Sequence, residues 1–205
     1  MPAGTITFLF SDIEGSSKKW EQHPDAMRVA LAAHDRMMRG AFESHGGYVF
    51  KTVGDAFCVA FDTGLEALRG AIEAQRALHG ATWEGIEELK VRMALHTGAA
   101  EQRDGDYFGQ ALNRVARILA SAHGGQVLLS FPTEELVRDG LPRGVQLRAL
   151  GEHRLRDLAR PEHLFQIVAP DLPSQFPALR SLESVRTICL CNSRASLAAS
   201  ANWRK

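Results

Sequence analysis

Apolar residues along this chain recur with two different periods, and the changes of period outline its elements. Thr5 to Phe10 is a β-branched and aromatic run of strand character that breaks at Ser11-Asp12-Ile13-Glu14-Gly15-Ser16, where serine and glycine signal a turn into a helix. From Pro24 to Ser44 the residues Met27, Leu31, Met38 and Phe42 recur at helical spacing, and Gly46-Gly47 closes the helix. Tyr48 to Thr52 and Ala56 to Phe61 read as short strands joined through Val53-Gly54-Asp55, a hairpin with an acidic tip. A second helix is expected from Leu65 to Leu78, with Leu65, Leu68 and Ile72 on one face and Gly80 as its stop.

Leu89, Val91, Met93 and Leu95 then alternate with Lys90, Arg92 and His96, the period of a half-buried strand. A third helix follows over about Gln110 to Ala122. After it come a strand at Gln126 to Ser130, a short helix near Thr133 to Val137, and strands at Val145 to Ala149 and Leu164 to Val168. The order β α β β α β, then α β and further strands, predicts an α+β domain with a ferredoxin-like core: an antiparallel-rich sheet with helices packed on one face.

Composition narrows the function. In 205 residues, 45% apolar and 23% charged, 24 basic groups cancel 24 acidic ones, so no global charge draws the chain to nucleic acid or to an anionic membrane. Apolar stretches stop far short of a spanning helix and no basic leader precedes one, so neither membrane insertion nor export is expected and the cytoplasm is the expected location. The three cysteines, Cys58, Cys189 and Cys191, lack metal-ligand spacing, and Cys58 reads as a small hydrophobe in an apolar strand. The eight histidines are scattered, with His96 and His123 read as structural or solvent-facing. No Gly-x-x-x-x-Gly-Lys or Gly-x-Gly-x-x-Gly loop occurs, which argues against a P-loop or dinucleotide site.

Chemistry must then come from carboxylates and a helix face. Asp12 and Asp55 both stand where strands turn over, and paired carboxylates suit hard cations that are shared with substrate phosphates. Taken singly, Asp12 is better explained as a helix cap and Asp55 as a turn residue. Asn113 and Arg117, four residues apart on the third helix, share one face, where a guanidinium offers forked donors to phosphate oxygens; an ordinary solvated face is the better account if that helix is viewed alone.

Together Phe10-Ser11-Asp12-Ile13-Glu14-Gly15-Ser16, Lys51-Thr52-Val53-Gly54-Asp55, and Asp106 with Asn113 and Arg117 resemble the catalytic domain of class III nucleotidyl cyclases. The resemblance covers about Gly4 to Val168. It includes His96-Thr97-Gly98 and Gly151-Glu152-His153-Arg154-Leu155-Arg156-Asp157-Leu158, which look like bacterial, actinobacterial-type members. It implies that Asp12 and Asp55 hold two magnesium or manganese ions, with the carbonyl of Ile13 as a further ligand. It also implies that Lys51 and Asp106 read the purine, Asn113 orients the ribose, Arg117 meets charge on the α-phosphate and Arg156 contacts the triphosphate. Lysine donates to adenine N1 while a carboxylate accepts from the exocyclic amine, so ATP is expected over GTP.

The implied unit is a two-fold homodimer whose sites combine the aspartates of one protomer with Lys51, Asp106, Asn113 and Arg117 of the other. The implied activity is adenylate cyclase, giving 3′,5′-cyclic AMP and pyrophosphate. The alternative is a catalytically weak nucleotide-binding and dimerising module left from a longer protein. Residues 1–168 form the expected catalytic domain and residues 169–205 a proline-containing linker and irregular tail. With synonymous codons the stretch from Ser184 reads in another frame as Arg-Pro-Asn-Asn-Leu-Pro-Val-Gln-Leu-Thr-Ser-Phe-Val-Gly-Arg-Glu, which resembles a linker to an ATPase domain, so an out-of-frame tail is expected there.

Overall fold

The computed structural model describes residues 1–185; the tail beyond, with most of the stretch expected to be out of frame, lies outside the described residues. The elements are β1 (Thr5–Ile13), α1 (Ser16–Gln22), α2 (Pro24–Ser44), β2 (Tyr48–Val53), β3 (Ala56–Phe61), α3 (Gly64–His79), β4 (Val91–Ala99), β5 (Glu101–Arg103), β6 (Asp106–Phe108), α4 (Gln110–Ser121), β7 (Val127–Ser130), α5 (Phe131–Val137), β8 (Gln146–Arg154), β9 (Glu162–Val168) and β10 (Glu183–Val185).

One sheet runs β10-β8-β9-β7-β4-β1-β3-β2, and β5 with β6 forms a separate two-stranded arm. Within it β4-β1-β3-β2 is antiparallel throughout, the ferredoxin-like order expected for a β α β β α β chain. β4 and β7 pair in parallel, which makes the whole sheet mixed. Local chemistry sets several boundaries. Thr63 accepts from the Glu66 N–H while Glu66 accepts from the Thr63 N–H, a capping box that starts α3. Gly54 takes φ 61° in the β2–β3 turn, a left-handed conformation that is cheap only for glycine.

Helices cover both faces of the sheet, which corrects the expectation of one. The crossovers through α2 and α3 pass over the same face, where Met27, Met38, Phe42, Leu68 and Ile72 pack on Leu9, Phe57 and Val59. On the opposite face Ala111, Val115 and Ile118 of α4 pack on Ile6, Phe8 and Ala94. For this reason β4, expected to be half-buried, is covered on both sides, and His96 is 2% exposed with its Nδ1 2.7 Å from Ser130 Oγ. The short β5–β6 arm and the extension of β8 to Arg154 also go beyond the elements read from periodicity.

Candidate active site

Strand alternation sends successive side chains to opposite faces, so Phe8, Phe10 and Asp12 of β1 share the α4 face while Leu9, Ser11 and Ile13 take the other. Asp12 lies inside β1 and is paired in register with Arg92 of β4. The Arg92 guanidinium donates to both of its carboxylate oxygens, through Nε to Oδ1 and through Nη2 to Oδ2 at 2.8 Å. Both side chains are mostly covered, Asp12 26% exposed and Arg92 20%. Asp55, at the β2–β3 turn, accepts a hydrogen bond from the Ile13 N–H at 3.0 Å. The structure thus brings Asp12, Ile13 and Asp55 to one end of the sheet.

A second group gathers on the α4 face. Phe10, Cys58 and Lys51 are cross-strand neighbours on β1, β3 and β2, and a register shift between Val49 and Lys51 falls next to the lysine. They line an open cavity of about 620 Å³ with Asp106 of β6 and Asn113 of α4. Cys58, expected merely to pack, therefore borders this cavity; burial pushes its thiol up to about 11, so it stays neutral. Lys51 Nζ donates to Asp106 Oδ2 at 2.6 Å. That hydrogen bond raises the lysine and holds the Asp106 carboxyl below its ordinary range. The Tyr107 N–H donates to the other Asp106 oxygen at 2.8 Å, and the Tyr107 hydroxyl is tied to the Pro2 carbonyl at 2.6 Å, which anchors β6 to the domain.

Arg117, one turn beyond Asn113, forms an ion pair with Asp157, its Nη2 2.7 Å from Oδ2, and Arg156 approaches the same carboxylate at 3.8 Å. Asp12, Asp55 and Arg117 do not line the cavity that holds Lys51 and Asp106. The acidic group and the Lys51–Asp106 group are two separate clusters of one chain. Sequence reading missed Arg92 and Asp157 as partners. Arg92 was visible only as a polar position in an alternating strand, since the register that sets it on Asp12 is not written locally.

Residues 1–167 match the adenylate and guanylate cyclase catalytic domain. An uncharacterized protein of Mycobacterium tuberculosis strain H37Rv is 39% identical over 191 residues, which cover 92% of this chain and 65% of that protein. The chain thus spans less than two thirds of the length of such relatives. An adenylate cyclase of Lachancea kluyveri is 37% identical over 155 residues, 63% of this chain and 8% of that protein. A solved adenylate cyclase structure from Trypanosoma brucei superposes with a TM-score of 0.77 at 28% identity, covering 87% of this chain and 95% of that one. The adenylyl cyclase CyaB from P. aeruginosa shares the fold, with a TM-score of 0.70 at 24% identity over 82% of this chain and 97% of that one. With the match spanning most of its length, on a mixed sheet carrying helices on both faces, the chain belongs to the adenylate and guanylate cyclase catalytic domain family.

Proposed function

We propose that this protein is an adenylate cyclase acting on ATP. The observation that carries the reading is Lys51 beside Asp106 on a cavity that also holds Asn113. A cationic donor next to a carboxylate acceptor complements adenine N1 and its exocyclic amine, whereas guanine presents the reverse at both positions. The lysine is 51% exposed, and a solvated ion pair is weak, so exchanging it for the base costs little.

The residues at the Asp12 end fit magnesium or manganese. Two carboxylates and a backbone carbonyl are hard oxygen donors, and among the described residues no group of three or more His, Cys, Asp or Glu forms a closed cage. Such a set leaves coordination positions for substrate phosphates. Asp12, Asp55 and the Ile13 carbonyl would hold the ions. When bound, two such ions lower the pKa of the ribose 3′-hydroxyl and neutralise the triphosphate.

In the proposed reaction the 3′-oxygen bonds to the α-phosphorus, the bond from that phosphorus to the bridging oxygen of the β-phosphate breaks, and the hydroxyl proton leaves to solvent. The products are 3′,5′-cyclic AMP and pyrophosphate. Lys51 and Asp106 orient the base, Asn113 holds the ribose, and Arg117 faces the charge on the α-phosphate, with Arg156 near the triphosphate. Arg117 is 41% exposed, so leaving Asp157 for a phosphate costs little. Positioning and electrostatics account for the rate without a nucleophilic side chain.

Because the two clusters do not share one cavity, we place the complete site between two copies, each supplying one cluster. A symmetric homodimer then carries two sites. The test is cyclic nucleotide formation by purified protein with ATP or GTP and magnesium or manganese, beside Asp12→Ala. Cyclic AMP from ATP, lost in Asp12→Ala, is expected. No product from a folded protein that still binds ATP would assign a nucleotide-binding regulatory module instead.

A further inference from the structure

Residues 170–182 contain no helix or strand, yet they are fastened across the domain at spaced points. Asp171 accepts from Arg76 of α3 through Nε at 2.6 Å and Nη2 at 3.0 Å. The Ser174 carbonyl accepts from Arg148 at 2.8 Å and from Gln166 at 2.9 Å. The Arg180 N–H donates to the Ser121 carbonyl at 3.0 Å, the Leu182 N–H donates to the Arg154 carbonyl at 3.0 Å, and Leu179 packs on the α4-side core.

Near its end this strap meets the residue that follows β1. The Arg180 guanidinium donates to Glu14 Oε1, two residues after Asp12 and directly after Ile13. Glu14 is held from two other directions as well: its N–H donates to the Lys90 carbonyl at 2.9 Å, and Gly124 packs closely against its side chain. The approach at Gly124 is close, since a Cβ there would stand 2.5 Å from Lys90 Cβ and 2.9 Å from Glu14 Oε2, so only glycine fits. The family match ends at residue 167, so the hold from Arg180 comes from outside the matched residues.

We propose that Arg180 is a positioning residue which, through Glu14, fixes the end of β1 that carries Asp12 and Ile13, and that residues 171–182 are therefore a working part of the catalytic unit. The inference rests on reading Asp12 and Asp55 as the acidic pair of a cyclase site. It adds that the strap sets how well this pair is pre-arranged.

The experiment uses the full chain with Arg180→Ala, Arg180→Lys, Glu14→Gln and the double variant Arg180→Ala/Glu14→Gln. Arg148→Ala, which removes one of the two donors to the Ser174 carbonyl, is the control. Amide hydrogen exchange at Ile13 and Glu14 is expected to be about fivefold faster in Arg180→Ala, the scale of a partly exposed ion pair acting on local opening. Glu14→Gln should match it, the double variant should be no faster, Arg180→Lys should fall between, and Arg148→Ala should stay at the wild-type rate. In the cyclase assay the half-saturating manganese concentration should rise about fivefold while the rate at saturating manganese stays near wild type, as loss of pre-arrangement predicts.

Exchange at Ile13 and Glu14 that is unchanged in Arg180→Ala would overturn the proposal. An equal acceleration of the α2 amides would also overturn it, because it would mark general destabilisation. If the wild-type protein makes no cyclic nucleotide, the cyclase reading fails while the exchange rates still decide whether Arg180 holds the end of β1.

Discussion

Asp12 and Arg92 face each other in register across β1 and β4, and the guanidinium takes both oxygens of the carboxylate. A forked donor on a mostly covered carboxylate holds it in one orientation, which suits the proposed role of Asp12 in presenting that carboxylate to a cation. Arg92→Met should destabilise the fold by about 1–3 kcal/mol by leaving Asp12 without its charged partner. Asp12→Ala in the Arg92→Met background should cost much less than Asp12→Ala alone, measured by urea unfolding at neutral pH. Equal costs in the two backgrounds would show that the pair is not coupled.

The proposed shared site predicts complementation. Asp55→Ala and Arg117→Ala should each be inactive alone, and an equimolar mixture should recover about a quarter of wild-type activity. Half the dimers are then mixed and each mixed dimer keeps one intact site. Absence of recovery in a mixture shown to contain mixed dimers would contradict the shared arrangement.

Base choice should follow the donor–acceptor pattern at Lys51 and Asp106. Lys51→Glu with Asp106→Ser offers an acceptor where the lysine donates and a hydroxyl donor where the carboxylate accepts, so the ratio of GTP to ATP turnover should rise by about a hundredfold or more. The two rates are compared by initial-velocity assays with each nucleotide. An unchanged ratio would remove these two residues from base reading.

His96 predicts a pH dependence of stability. Burial, with a smaller contribution from Arg114, lowers its pKa from 6.5 to about 4. The unfolded chain therefore binds a proton that the folded chain rejects as pH falls through 6.5, and stability is lost progressively until about pH 4. The full effect is about 3 kcal/mol, since one pKa unit corresponds to about 1.4 kcal/mol. Urea unfolding between pH 7.5 and 4.5 should show that slope in the wild type and a shallower one in His96→Gln. Identical slopes would exclude His96 as its source.

Much of this was legible in the chain. The ferredoxin-like core follows from alternation at period 2 and recurrence at 3.6, and α2 begins and ends at Pro24 and Ser44 as the periodicity predicts. Other features were not. Burial of β4 on both faces left only a faint trace in the unbroken run Met93-Ala94-Leu95, which reads equally as one side of an alternating strand. The β5–β6 arm was invisible because three-residue strands are too short to show a period. Cys58 read as a core residue because its strand is apolar, and only the pairing of β1, β3 and β2 places it beside Lys51 on a cavity.

The sequence by itself determined the residues that repeat or cluster locally: the strand and helix periods, the Asp55 turn, and the Asn113–Arg117 spacing on one helix face, whereas Asp12, expected where the first strand turns over, lies inside β1. These depend on neighbours a few residues away, whose geometry the backbone dictates. The tertiary structure alone decided which distant groups meet: Arg92 on Asp12, the Ile13 N–H on Asp55, Asp157 under Arg117, and Arg180 on Glu14. Those meetings are set by strand register and by which face of the sheet each helix covers. A one-residue slip in register would turn every side chain to the other face, so they are properties of the packed whole rather than of any segment.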